Sequence, residues 1–206
     1  MKGKLITFEG SEGCGKSTQS RMLLGFLKRK GCNVVFLREP GSTKISEKIR
    51  GVLLDAKNDS MSPVAEMLLY MACRAQIVDE RIKPALKAGK IVICDRYLDS
   101  TLAYQGYGLG MDTKLIEEIG RFATGGIKPV LTILLDVPVK KGLSYRILSR
   151  DRIEQRSFNY HNRVRKGYFK LAALDPQRIK VVKVQPEKSM TQDKIREIVS
   201  SFLKIK

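Results

Sequence analysis

Gly10-Ser11-Glu12-Gly13-Cys14-Gly15-Lys16-Ser17 carries the spacing GxxxxGK[ST]. Glycines at these positions let successive backbone N–H groups turn inward on an anion. A helix opening at the end of the loop adds a positive partial charge. Lys16 has the reach for β- and γ-phosphates, and the Ser17 hydroxyl suits Mg²⁺. Gly10, Ser11, Glu12, Gly13, Cys14, Gly15, Lys16, Ser17 and Thr18 are therefore the expected ATP-binding set. Glu12 is out of place, because a carboxylate inside an anion cradle repels phosphate. It could accept a hydrogen bond from a sugar hydroxyl of a second substrate, pair with an arginine, or point to solvent. Cys14 reads as a small spacer.

A second group lies downstream. Ile91-Val92-Ile93-Cys94-Asp95 is an apolar run ending in a carboxylate. In a parallel sheet, ligands sit beyond the carboxyl ends of strands. Asp95 is thus placed to hold Mg²⁺ with Ser17, directly or through water. Leu131 to Asp136 has the same shape and competes for that role. Asp95 is preferred because Arg96, Tyr97, Ser100 and Ala103-Tyr104-Gln105-Gly106 follow it and look like a substrate site. An acceptor nucleotide needs a cation for its phosphate, an aromatic face for its base and a donor for a carbonyl. Arg96 could supply the cation; read without further context, Tyr70 and Tyr104 suit a core and Arg74 a solvated helix face. Residues 138–170 hold ten lysines and arginines against Asp151 and Glu154, a net +8. That stretch is either a solvated helix pair or a lid whose arginines meet phosphates.

Positioning these groups requires alternating strands and helices. Leu5–Phe8 reads as a strand, followed by the glycine turn and a helix over about Lys16–Lys30. Further strands are expected at Asn33–Leu37, Ile91–Cys94, Val130–Leu135 and Ile179–Val184. A long helix should start at Ser62-Pro63, where serine caps and proline suits the first turn. Thr113–Thr124 is helical and stopped by Gly125-Gly126. The last helix aligns Ile195, Ile198, Val199, Phe202 and Leu203 in one stripe. The pattern predicts one α/β domain over residues 1–206, a five-stranded parallel sheet with helices on both faces.

The chain has 206 residues, 43% hydrophobic and 29% charged, which is enough apolar content for a core. No run is long enough to cross a membrane. Four separated cysteines and one histidine, His161, argue against a zinc site or a disulfide scaffold and for a reducing, cytoplasmic setting. Lysine and arginine number 39 against 21 acidic residues, a net charge of +18 that points to an anionic partner. No RNA-recognition, helix-turn-helix or NKxD signature accompanies it, so a stable nucleic-acid complex or a guanine-nucleotide switch is not expected.

Five segments occur together in order: Phe8–Gly13, Arg38-Glu39-Pro40-Gly41-Ser42-Thr43, Asp95–Ser100, Ala103–Gly106 and Asp151-Arg152-Ile153-Glu154. In these the chain resembles thymidylate kinases, P-loop enzymes that phosphorylate dTMP with ATP. The resemblance runs from about residue 4 to 174 and implies a P-loop kinase fold with a short lid, about 144–156, and a homodimer through the helix after Pro63. It implies that Glu12 bonds the sugar 3′-hydroxyl and that Arg38 lies in the acceptor loop. Tyr70 would stack on the base, Arg74 would donate to a base carbonyl and Arg96 would grip the acceptor phosphate. Ser100 belongs to the same dTMP site, Thr101 and Gln105 face base or sugar, and Tyr104 crowds the 2′ position. Gly13 stands where one branch of the family carries arginine, so a lid arginine is expected to stabilise the transferring phosphoryl group: Arg150 first, with Arg146 and Arg152 behind it. Two departures are Ser42, where the family usually repeats glycine, and Gln185-Pro186, in place of a small acidic motif. Another nucleoside monophosphate, such as dUMP, is the alternative acceptor.

Overall fold

The computed structural model describes residues 3–145 and 151–205. Five parallel strands, β1 (Lys4–Glu9), β2 (Val34–Arg38), β3 (Ile91–Asp95), β4 (Leu131–Asp136) and β5 (Ile179–Lys183), form one sheet in the order β2-β3-β1-β4-β5. All expected strands are present. β4 is shifted by one residue, because Val130 stays exposed while Leu131 to Leu135 are buried. The register pairs Phe8 with Asp95 and Arg38 with Asp95, so the carboxyl ends of β1, β2 and β3 finish side by side. The site forms along that edge.

Helices cover both faces. α1 (Lys16–Arg29) leaves the glycine loop and packs with α9 (Lys188–Leu203) on one side. Their Leu23, Leu27, Ile195 and Val199 meet Ile6, Phe8, Ile133 and Leu135 from the strands. The C-terminal stripe weakens at Phe202, which is part-exposed beneath the Lys4 ammonium. The other face carries α3 (Pro63–Ile77), which continues through a π-helical turn, Val78–Ile82, into α4 (Lys83–Lys87). Ser62 caps α3 by accepting from the Ala65 N–H, as expected from Ser62-Pro63. α5 (Leu98–Thr101) runs into a second π-helical stretch, Leu102–Gly108. α6 (Thr113–Thr124) ends on Gly125 at φ +56°, a left-handed cap that glycine adopts without strain. α7 (Val139–Ser144) follows β4.

α2 (Lys44–Leu54) was not anticipated, and α7 and α8 (Phe158–Leu174) realise the helix-pair reading of the basic segment over much of its length. α2 and α8 each start at a hydroxyl cap, Thr43 and Ser157 respectively. The charged residues of α2 disguised its apolar spacing. α8 packs extensively on the Leu102–Gly108 turn, where Tyr160, Val164 and Tyr168 join Met67, Met71 and Tyr104 in one cluster. The stretch expected as a lid also needs correction. Its residues 151–156 form a turn with Arg152, Ile153 and Glu154 buried, so this part belongs to the body of the domain. Asp151 caps the turn through Oδ1, which accepts from the Ile153 and Glu154 N–H groups at 2.9 Å each. Arg146 and Arg150 lie outside the described residues.

Candidate active site

A cleft of about 480 Å³ runs along the carboxyl edge of β1–β3. At one end lie Gly13, Gly15, Lys16, Ser17 and Thr18; at the other lie Arg38, Tyr70, Arg74, Ser100, Thr101 and Gln105, with Glu12, Asp95, Arg96 and Tyr104 between. Sequence-predicted residues from distant segments therefore converge on one cavity. Gly10, Ser11 and Cys14 stand behind this wall rather than in it, and Cys14 is buried in the core with its thiol pushed up by desolvation. That suits a spacer and not a nucleophile.

The loop end is held by its own backbone. Gly10, Gly13 and Gly15 have φ of +141°, +70° and +86°. Lys16 Nζ donates to the carbonyls of Gly10 and Ser11, both at 2.9 Å. Gly13 faces Gly142 of α7 so closely that a Cβ at residue 13 would stand 1.9 Å from the Gly142 carbonyl oxygen. An arginine at residue 13 has no room here, which accounts physically for the glycine.

Ser17 Oγ donates to Asp95 Oδ2 at 2.6 Å. The competing carboxylate, Asp136, is clamped instead by Arg165 Nε and Nη2 at 2.7 and 2.9 Å. A hydroxyl and a carboxylate oxygen in contact at the mouth of an anion cradle form a hard oxygen donor set. It fits Mg²⁺, which takes one or two protein oxygens and keeps its other positions for water and phosphate.

Glu12 resolves toward the pairing option. Its Oε1 accepts from Arg96 Nη2 at 2.6 Å and from Tyr104 Oη at 2.7 Å. Arg96 is the hub of the site. Its backbone is left-handed at φ +73°, a conformation costly for a side chain with a Cβ. The Phe8 carbonyl receives its N–H at 2.9 Å, and its guanidinium lies over the Tyr104 ring at 4.8 Å. Its guanidinium also reaches Ser100 Oγ at 3.2 Å. Glu12, Tyr104, Tyr168 and Asp95 hold Arg96 firmly in its charged form despite desolvation.

Arg74 is not a solvated helix residue. It is among the bulkiest fully buried side chains, it lines the cleft, and its guanidinium is fixed by defined partners. Nε donates to Glu39 Oε2, Nη1 to Thr101 Oγ1 and Nη2 to the Tyr97 carbonyl, each at 2.9 Å. Tyr70 lines the cleft, and Leu68 beside it is about half exposed, so neither belongs to a closed core. Arg38 donates Nη2 to Glu47 Oε1 at 2.8 Å. Ser42 takes φ +69°, the conformation a second glycine would adopt freely. Its hydroxyl compensates by accepting from the Arg38 N–H and donating to the Arg38 carbonyl.

Arg152 is a correction. It does not line the cleft: Nε donates to the Leu53 carbonyl at 2.9 Å, and the guanidinium pairs with the buried carboxylate of Glu66. Arg156 joins the same carboxylate at 2.6 Å, and Arg163 binds the Gly108 carbonyl. Much of the basic segment therefore has structural partners. Gln185 contacts the Thr191 hydroxyl and Lys183 and takes no part in the cleft.

Several residues escaped sequence reasoning. Glu9 is buried, and it accepts from the Tyr97 N–H at 2.7 Å, Ser100 Oγ at 2.6 Å and Tyr168 Oη at 2.9 Å. Burial, reinforced by Asp99, pushes its carboxyl up to about 7. Burial also drives Glu39 up to about 7 against the pull of Arg74, and Glu39 Oε1 is buried with no hydrogen-bond partner among the described residues. Arg50 donates to the Pro40 carbonyl at 3.0 Å and lines the cleft beside Arg38. Glu9 and Glu39 lie inside the Phe8–Gly13 and Arg38–Thr43 segments at strand ends, a signal that could have been read. Arg50 and Tyr168 carried none.

The family model for thymidylate kinase matches residues 8–195 of the chain. The chain is 49% identical over 189 residues to a thymidylate kinase of Citrifermentans bemidjiense, covering 87% of this chain and 84% of that one. It is 43% identical over 204 residues to one from Thermoanaerobacter sp. strain X514, covering 98% and 100%. A crystal structure of the thymidylate kinase from Ehrlichia chaffeensis superposes with a TM-score of 0.81 at 32% identity, over 97% of this chain and all of that one.

Proposed function

The chain belongs to the thymidylate kinase family and phosphorylates dTMP, and from that premise we propose that ATP is the donor, bound at the glycine loop, and that dTMP occupies the Tyr70–Arg74–Gln105 end of the same cleft. The observation that carries this is the single continuous cavity joining an anion cradle to a pocket with an aromatic face and buried donors.

On this reading the loop N–H groups and Lys16 hold the donor phosphates, and Lys16 exchanges its loop carbonyls for phosphate oxygens. Arg96 meets the acceptor phosphate from a fixed position, so little reorganisation remains at the moment of transfer. Tyr70 offers its face to the base, and Tyr104, held by Glu12, crowds the sugar. Ser17 and Asp95 would hold Mg²⁺, which supplies charge neutralisation on the donor phosphates. No general base is needed, because a phosphate monoester with a second pKa of about 6 is already anionic at neutral pH. What remains is to bring two polyanions into line, which is a matter of cations and alignment. Arg150, outside the described residues, is the proposed phosphoryl-facing arginine, with Arg146 behind it.

Exposed apolar side chains on α2 (Ile45, Val52), α3 (Val64, Leu68) and α6 (Leu115, Phe122) support a homodimer through that face. Free thiols at Cys14, Cys32, Cys73 and Cys94 support a reducing, cytoplasmic setting. Among the described residues no helix is long and apolar enough to cross a membrane.

The test is ADP production from ATP and Mg²⁺ with a panel of monophosphates. dTMP should give the highest kcat/KM. Turnover no greater than buffer would defeat the proposal, and a higher value for dUMP would reassign the acceptor.

A further inference from the structure

Glu66 stands in the first turn of α3 with no exposed surface. Tyr70 and Arg74 follow it at four-residue intervals, on the same helix face. The two oxygens of its carboxylate are divided. Oε2 takes Arg156 Nη2 at 2.6 Å and pairs with Arg152. Oε1 accepts from Gln105 Nε2 at 2.8 Å.

That division decides something about Gln105. A carboxylate loaded with two guanidiniums offers only lone pairs, so of the two ends of the Gln105 amide only the NH₂ can face it. The carbonyl end is left over. Gln105 is 1% exposed and lines the cleft, and its Oε1 has no partner among the described residues. The acceptor pocket therefore holds a hydrogen-bond acceptor at Gln105 and cationic donors at Arg74.

We propose that Glu66 is a positioning residue that sets the sense of the Gln105 amide and thereby selects bases carrying an imide N–H beside a ring carbonyl. The inference rests on the acceptor assignment made above. Thymine and uracil present that pattern: N3–H donates and the neighbouring C4 carbonyl accepts. Cytosine presents the reverse, an accepting N3 beside an amino group. Glu66 touches no substrate; it acts through Gln105. The plainer role, a counterion for Arg152 and Arg156 alone, predicts no preference among bases when Glu66 is altered.

The variant E66Q separates the two. Guanidinium groups only donate, so the carbonyl of the new amide stays with Arg152 and Arg156 and its NH₂ turns to Gln105. Gln105 must then reverse and present Nε2–H to the cleft. The expected result is a fall in kcat/KM for dTMP of about 10- to 100-fold, carried mainly by KM, the size expected when a buried donor faces a donor. dCMP, tested as substrate and as competitive inhibitor, should not weaken and should gain. Equal falls for the two nucleotides overturn the proposal. The exchange variant E66Q/Q105E again leaves an oxygen facing the cleft, and it should return the dTMP-to-dCMP ratio to within a few-fold of wild type; no recovery overturns it as well. Should E66Q fail to fold, side-chain amide exchange in the wild type decides. Gln105 Nε2 protons protected before any nucleotide is added support the assignment, and protons protected only after dTMP binds overturn it. A wild type inactive on dTMP defeats the acceptor assignment itself, a result distinct from all of these.

Discussion

The two ends of the cleft are built by different means. The donor end is backbone: one contiguous loop, three glycines at positive φ and the opening of α1. The acceptor end is side chains, buried or nearly so and each held by partners: Arg74 pairs with Glu39, Arg96 with Glu12, and Glu66 with Arg152 and Arg156, while Glu9 accepts from Ser100 and Tyr168. A backbone cradle needs only local conformation, so it can be specified by a short motif. Buried charges are tolerable only when each meets a partner with good geometry, so that end needs the assembled fold. The gain is preorganisation. On the proposed assignment, Arg74 and Arg96 do not search for their positions when the acceptor arrives.

The contrast can be broken first at the donor end. Lys16→Ala removes the lysine of the loop while leaving the glycine backbone in place. kcat should fall by about 10³-fold or more, with the thermal midpoint within a few degrees of wild type. ADP release and a melting curve check both; a fall below tenfold would move the donor phosphates elsewhere.

Two arginines close in sequence sharpen the comparison. Arg152 is fastened to Glu66 and to the Leu53 carbonyl, so Arg152→Ala should cost about 3–5 kcal/mol of stability by leaving a buried carboxylate short of a partner. Its kcat per folded molecule should stay within a few-fold of wild type. Arg150→Ala should do the opposite, lowering kcat by about 10²-fold or more with stability retained. Denaturant titration and turnover measured on both variants settle the roles, and a kcat loss confined to Arg152→Ala would reverse them.

The smallest effect is electrostatic. Glu39 is held up at about 7 by burial, above its ordinary 4.5. Between those values the native state keeps a proton that the unfolded chain has released, so stability falls as pH rises through that window and the cost is complete above 7. Glu39→Gln lacks this component. From pH 5 to pH 8 the unfolding free energy of the variant should therefore improve relative to wild type, by on the order of 2 kcal/mol. A difference independent of pH would mean that Glu39 titrates normally.

Particular residues show how far one chain of letters reached. Ser62-Pro63, Gly125-Gly126 and the apolar runs marked their elements because caps, breakers and β-rich strands act locally. Asp95 could be preferred to Asp136 on its neighbours; in the structure Ser17 contacts Asp95 and Arg165 occupies Asp136. Arg152 pairs with Glu66, and a basic residue in a basic segment carries no sign of the carboxylate it will meet. Glu66, 86 residues earlier in the chain, is that carboxylate.

The sequence by itself determined the α/β alternation and the anion cradle, since each depends on conformations and spacings within a few residues. Only the tertiary structure decided which charges are spent on one another and which face the cleft. That outcome depends on burial and on partners tens of residues apart: Glu12 turns to Arg96, Glu39 to Arg74 and Glu66 to Arg152 because a desolvated charge settles where another neutralises it.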